Sequence, residues 1–490
     1  MECFGIQYAV HSRLDYKHVC SDTTRNPYLV KKAISQHVGG DCVGLLICGG
    51  SVVTMSERGV VRDGAVLIEG DRIVEVGKCD DVRRRNPRGY EKLNARGKIV
   101  LPGLINTHHH LAMSLLRGYA DDMPLKEWLE EKIWPIEMHM TSEDIYLGAK
   151  LTAVESVLGG CTTVNTMYHY APEFNEAKAI AEVGIRGVVG HVCFSWRKDE
   201  DLRLTRSLVE AWHGADNGRI RVSVDPHAPY TVDPDYMVEL WNLTLELNEK
   251  YGEKSPITLH THLAETVDEA DKIKRTFGVE LDGGIVEYLD RLGVLGRLML
   301  AAHCVHLSEK DIVILASRGV KVAHNPVSNL KLGSGISPVP KLLEAGIDVG
   351  LGTDSVCSNN SSDMFETMKF AALIHKGVSM NPSIMNAWKV LQMATIGGAK
   401  ALNWDYELGS IEPGKKADII LVDVQTPHAI PMYSETSHLV YAVKSSDVET
   451  VIVDGRIIVE RREIKTVRVE ELIEKFLKAR DKLMERAGLT

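Results

Sequence analysis

Residues 101–110 read LPGLINTHHH, an apolar run that ends in three consecutive histidines. In an extended strand residues i and i+2 share a face, so His108 and His110 point together and His109 points away. Seven further runs of this kind follow: CTTVNTMYH (161–169), RGVVGHVCF (186–194), RIRVSVDPH (219–227), PITLHTHLAE (256–265), RLMLAAHCVH (297–306), GVKVAHNP (319–326) and IDVGLGTDS (347–355). Helical patterns separate them. Eight strand–helix units over about 300 residues are what a closed barrel requires. The fold class is therefore α/β, a TIM (β/α)8 barrel over residues 99–404.

Outside this stretch the texture changes. GLLICGGSVVTM (44–55), GAVLIEG (64–70), DRIVEVG (71–77) and GKIVLPG (97–103) are short runs bounded by Gly and Asp. The same texture returns in LGSIEPGKKADIILVD (408–423) and VETVIVDGRIIVERREI (448–464). Alternation of this kind reads as strands, and its two locations predict a small β-sandwich domain built from both chain ends, residues 43–98 and 405–465. Residues 1–42 show no periodicity and are expected to form a poorly ordered N-terminal extension. Within 466–490, Val469, Leu472, Ile473, Phe476 and Leu477 fall at helical spacing and predict an amphipathic packing helix.

A hydrophobic content of 44% and a charged content of 25% leave ample core for this plan. The formal net charge of −10 argues against a polyanion-binding surface, which needs clustered Lys and Arg. The basic run Arg83–Arg85 is short, has acids beside it and reads as a solvated face. Nine cysteines stand singly, without a CxxC pair, and are expected to be reduced thiols of a cytoplasmic protein. No apolar run approaches the ~18 residues of a transmembrane helix, and charges break any signal-type segment at the start. Neither nucleic acid nor membrane is an expected partner.

Chemistry collects at the strand ends, where barrels carry it. Two imidazoles on one face, His108 and His110, are half of a metal site, although alone such a pair is more often incidental. The fifth run adds His262, with Glu265 in the loop above it. The sixth adds His303 and the eighth Asp354. Any one of them reads equally well as a hydrogen-bonded core residue, but their coincidence at the same ends of separate strands points to a metal centre. His260, His306 and His324 are expected to be structural or to support the ligands.

The motifs PGLINTHHH, HLAET, AAHCVHLS, AHNPVSNLKLGSG and GTDSVCSNN resemble the series of the amidohydrolase superfamily. Within it they are most similar to the 5-methylthioadenosine/S-adenosylhomocysteine deaminases and the related 5′-deoxyadenosine deaminases. The resemblance spans about residues 43–465. It implies His108, His110, His262 and Asp354 as ligands of one divalent ion per subunit, zinc or in some relatives iron, and Glu265 and His303 as proton-handling groups. Trp128 and Glu137 in KEWLEEKIWPIE match the substrate loop, and His227 and Ser358 match further positions facing the nucleoside. Two departures stand out: THHH replaces the usual THTH, and Ser355 replaces a common glycine, which puts the shape of that loop in question.

The implied function is hydrolytic deamination of adenine nucleosides to their inosine analogues. The ion would lower the pKa of water from 15.7 to about 7 for attack on C6. Glu265 would protonate the ring N1, Asp354 would accept the water's proton and deliver it to the departing ammonia, and His303 would orient the nucleophile. Glu137 would accept the ribose hydroxyls. A guanine-type deaminase or a triazine-type chlorohydrolase shares the ligands and is the alternative; an inactive scaffold barrel should have lost some of them. The expected partners are a nucleoside and further copies of the chain in a homo-oligomer. At the 5′ end the family often carries an Arg where GVVGHVCFSWRKDEDLR (187–203) has His191, with Arg197 contested by Asp199, Glu200 and Asp201. Small uncharged 5′ groups are therefore the expected preference.

Overall fold

The computed structural model describes residues 44–87, 89–281 and 283–489. The extension expected over residues 1–42 lies outside these described residues. The first five strands are β1 Gly44–Val53, β2 Val60–Glu69, β3 Arg72–Lys78, β4 Tyr90–Asn94 and β5 Lys98–Pro102. Eight follow in the middle of the chain: β6 Leu104–His109, β7 Cys161–Tyr168, β8 Arg186–Cys193, β9 Ile220–Pro226, β10 Thr258–Leu263, β11 Met299–His303, β12 Lys321–His324 and β13 Val349–Leu351. The last four are β14 Ile419–Asp423, β15 Val448–Val453, β16 Arg456–Glu460 and β17 Glu463–Ile464.

Strands β6 to β13 pair in sequence order and in parallel, forming the barrel. Parallel strands covered on both faces are removed from water on both, and β7, β8 and β9 are buried at every residue, polar ones such as Asn165, Arg186 and Asp225 included. The seam between β6 and β13 closes through Thr107 Oγ1 to the Leu351 carbonyl at 2.9 Å and the Asp354 amide to the His108 carbonyl at 3.0 Å. The seam thus joins two of the residues singled out above.

The other nine strands form a separate sheet in the order β17-β16-β15-β14-β5-β1-β2-β3, with β4 pairing β1. Both chain ends contribute to it. Ile47, Val66, Val100, Ile419 and Ile452, from five of its strands, share one apolar cluster. The β15–β16 hairpin turns on Asp454 and Gly455, both at positive φ (51° and 71°), which is the chemistry of a two-residue primed turn. The run 101–110 proves to be two strands. β5 ends in the sheet at Pro102 and the barrel starts at Leu104; Gly103 between them packs so closely on Thr162 that a side chain would clash.

Two expectations are corrected. Cys48 and Cys79 form a disulfide with Cα atoms 5.5 Å apart, so these two are not reduced thiols; Cys161, Cys193, Cys304 and Cys357 are free and buried. Cys48 lies on β1 and Cys79 opens the helix after β3, 31 residues away, a separation that no local cysteine pattern announces. The C-terminal helix, Val469–Arg486, buries Leu472, Ala479 and Leu483, whereas Ile473 and Leu477 are exposed. Arg486 in its last turn pairs with Asp144. Among the described residues no helix is long and apolar enough to cross a membrane.

Candidate active site

The C-terminal strand ends surround a cleft of about 650 Å³ including its open mouth. β6 delivers His108, and His110 follows one residue beyond its end. The Nε2 atom of each lies 3.3 Å from Asp354 Oδ1 in the segment after β13. β10 delivers His262, with Nε2 3.2 Å from that of His110. His109 turns away to the Ser362 hydroxyl at 3.1 Å. The possible ligand atoms of His108, His110 and His262 lie within 4.8 Å of one another, as do those of His108, His303 and Asp354.

The remaining ring nitrogens test whether this group suits a cation. His110 Nδ1 meets the Met167 carbonyl at 2.8 Å and His262 Nδ1 the His227 carbonyl at 2.6 Å. Carbonyls only accept, so both rings carry hydrogen on Nδ1, and in the neutral form Nε2 keeps a free lone pair. His108 Nδ1 contacts His260 Nε2 at 2.8 Å, while its own Nε2 is buried and makes no hydrogen bond. Three imidazoles and a carboxylate around one point form a donor set of the zinc type. The residues fit a metal ion.

Burial opposes the charge on Asp354, yet His108 and His110 beside it hold its carboxyl well below the usual range. Its Oδ2 accepts from Ser328 and Ser358 at 2.6 and 2.8 Å, and Oδ1 from the Ser355 amide at 2.7 Å. These bonds hold Asp354 at φ 63°. Ser358 therefore lines the cleft with its hydroxyl already engaged. The Ser355 hydroxyl accepts the Ser358 amide at 3.0 Å and closes the loop as a turn.

Glu265 stands with Oε1 3.8 Å from His303 Nδ1, which also meets Asn329 Oδ1 at 2.7 Å. Burial raises the Glu265 carboxyl above its ordinary pKa, against the opposing charge of His303. Glu137 is likewise raised by burial, and Tyr168 donates to its Oε1 at 2.6 Å. Trp128 faces the cleft with its ring, its Nε1 being bonded to the Ala120 carbonyl at 2.9 Å. His227 lines the cleft, and burial pushes its imidazole down to about 3. His306 Nε2 meets the Ser334 carbonyl at 2.8 Å, and His324 packs against His375.

Residues passed over in the sequence complete the wall: Trp134, Tyr168, His169, Phe194, Tyr230 and Leu332. Tyr168 and His169 end the second strand run, so attention to strand ends would have reached them. Trp134 and Leu332 arrive from helical segments and carry no such signal. Among the described residues no Lys or Arg lines the cleft. His191 is buried against Asp201 at 2.9 Å, and Arg197 pairs with Glu200 and Asp201 at 3.5 and 3.4 Å.

An eight-stranded parallel barrel with this cluster at its strand ends defines the class of metal-dependent barrel hydrolases. The chain belongs to the amidohydrolase family, whose model matches residues 99–458. A short stretch, residues 64–88, matches the imidazolonepropionase-like composite domain of bacteria. The chain is 43% identical over 427 residues to the 5-methylthioadenosine/S-adenosylhomocysteine deaminase of Dictyoglomus thermophilum, covering 85% of this chain and 96% of that protein. Identity to the 5′-deoxyadenosine deaminase of Methanosarcina mazei is 40% over 449 residues, covering 91% and 99% respectively. Among solved structures, an adenosine deaminase from Xanthomonas campestris with bound zinc superimposes with a TM-score of 0.82 at 32% identity, over 90% of this chain and 99% of that one.

Proposed function

We infer that the chain is a metal-dependent hydrolase of C–N bonds that deaminates adenine nucleosides to their inosine analogues, releasing ammonia. The observation that carries this reading is the meeting, in one cleft, of the imidazole–carboxylate cluster with two buried acids, Glu265 and Glu137. His108, His110, His262 and Asp354 would hold the ion, with zinc favoured by the donor set and by the zinc-bound relative. A bound divalent ion lowers the pKa of water from 15.7 to about 7.

The protein's own groups divide the proton traffic. Glu265, whose carboxyl burial raises above its ordinary pKa, would give a proton to the ring N1 and so make C6 electrophilic. Asp354, kept ionised, accepts the proton of the attacking water and passes it to the departing ammonia. His303, fixed by Asn329, orients that water and faces the charge that develops at C6. Glu137 reads the ribose hydroxyls with Tyr168 holding its carboxyl in place, and the Trp128 ring, with His227 beside the sugar, completes the pocket. Residues 99–404 are proposed as the catalytic unit, with 43–98 and 405–465 as its companion.

For the 5′ end we propose small, uncharged groups: 5′-deoxyadenosine, 5′-methylthioadenosine or adenosine. Among the described residues no Lys or Arg lines the cleft, and burial keeps His169 and His227 neutral near neutral pH, each pushed down to about 3. An anionic 5′ substituent finds no counter-charge there. Ammonia release from these compounds, S-adenosylhomocysteine, adenine and guanine tests both levels. S-adenosylhomocysteine should be poorer in kcat/KM by about tenfold, the ~1.4 kcal/mol of one charge-assisted contact. A preference for it would overturn the 5′ reading, and no release from any adenine nucleoside by protein holding one ion per chain would overturn the whole.

A further inference from the structure

The segment HLAETVDEAD (262–271) carries a second acid, Glu269, which the chemistry above does not use. It is 1% exposed. Its Oε2 accepts the Glu265 amide at 2.9 Å, and the Ala264 amide also donates to the carboxyl. Its Oε1 is buried without a hydrogen-bond partner. Burying a carboxyl with one oxygen unbonded is unfavourable.

What Glu269 grips is a contorted piece of backbone. Ala264 sits at φ 50°, and opposite it His303 and Cys304 sit at 71° and 48°. Residues with a Cβ avoid this region unless their surroundings hold them there. The two turns interlock: the Ala264 carbonyl accepts the Val305 and His306 amides, each at 2.9 Å, and the Leu263 carbonyl accepts the Cys304 amide at 3.0 Å. Together they set Glu265 against His303. The carbonyls of the Ala264 turn are bound by the β11 loop, and its amides by Glu269.

We propose that Glu269 is a positioning residue for Glu265, its carboxyl clamping the left-handed turn at Ala264 and so fixing the proton donor over the cleft. This rests on the proton-handling role of Glu265 inferred above. The titratable groups facing Glu269 are Glu265 on the turn, Lys272 on its own helix, Cys304 on the β11 loop and Tyr230 on the loop after β9. Burial pushes its carboxyl up to about 8, so at neutral pH it adds no like charge behind Glu265. Above that value it ionises, and kcat is expected to fall.

The test compares Glu269→Ala and Glu269→Gln with Glu265→Gln, measuring bound metal, KM and kcat against pH. Glu269→Ala should keep its metal and a KM within about threefold of wild type while kcat falls at least tenfold, the signature of a misplaced group rather than a lost binding contact. Glu269→Gln keeps the acceptor oxygen; it should restore kcat at pH 7 to within about threefold and remove the alkaline fall near pH 8. A Glu269→Ala enzyme with wild-type kcat overturns the proposal, as does a Glu269→Gln enzyme with an unchanged alkaline limb. If Glu269→Ala does not fold, judged by thermal unfolding, the Glu269→Gln pH profile decides alone. Wild-type turnover by Glu265→Gln removes the parent reading and the clamp together, whereas a dead Glu265→Gln beside an unimpaired Glu269→Ala removes the clamp only.

Discussion

Glu176 lies behind the ligand strand with both carboxyl oxygens engaged, Oε1 by the Ala112 amide at 2.9 Å and Oε2 by the Thr166 hydroxyl at 3.0 Å. Burial nevertheless pushes it up to about 7 from an ordinary value of 4.5. A carboxyl raised on folding contributes stability that is fully present below pH 4.5 and is lost as pH rises through about 7, since only the unfolded chain ionises freely in that window. Glu176→Gln removes this dependence. The melting temperature of the wild type should therefore fall further between pH 5 and pH 8 than that of the variant, and parallel curves would refute the argument. Glu137→Ala should raise KM roughly ten- to a hundredfold for nucleosides, the loss of two hydrogen bonds to its carboxyl oxygens. Its effect on free adenine should be small, because the base has no ribose to lose; equal effects would take Glu137 out of the ribose role.

The helix Ser142–Leu158 shows how an element serves the site without touching the chemistry. It starts at a capping box, the Thr141 amide donating to Asp144 Oδ2 at 2.7 Å and the Asp144 amide to Thr141 Oγ1 at 3.2 Å. Gly148 stands in its middle, where glycine costs helix stability. The reason is close approach: a Cβ there would clash with the Ala112 carbonyl oxygen. Ala112 belongs to the turn Leu111–Leu116 that directly follows His110. Gly148→Ala should push this turn, costing about 1–3 kcal/mol by overpacking and weakening metal retention in a chelator competition. Unchanged melting and unchanged retention would show that the turn accommodates the methyl group.

At the scale of the whole molecule, the sheet is tied to the barrel by a buried ion cluster. Arg186 at the start of β8 is fully buried and donates to Asp418 at 2.6 and 2.9 Å and also to Asp454. Asp418 precedes β14 and Asp454 sits in the β15–β16 turn, so one barrel residue holds two places of the sheet. Removing one partner leaves a buried cation short of charge, and Asp418→Ala should cost about 3–5 kcal/mol. The cluster lies at the strand starts and the cleft at the strand ends. Metal affinity should then stay at the wild-type value while urea unfolding shifts to lower concentration; a loss of affinity equal to the loss of stability would show the two ends to be coupled.

The sequence by itself determined the barrel, the sheet built from both chain ends and the face shared by His108 and His110. Each follows from a local pattern: strand runs alternating with helices, short alternating runs bounded by Gly and Asp on both sides of the barrel, and two-residue spacing on a strand. The contacts decided only by the tertiary structure join residues far apart in the chain. Cys48 on β1 meets Cys79 at the start of a helix, Trp134 and Leu332 reach the cleft from helical segments, and the Ser358 hydroxyl is taken up by Asp354. The exposure of Ile473 and Leu477 follows from where the last helix docks, which its own periodicity cannot specify. Glu269 reads as an ordinary acid near a helix start until the turn at Ala264 closes over it. Side-chain periodicity is a property of neighbours, whereas the partner of a buried polar group is chosen by the packing that removes it from water.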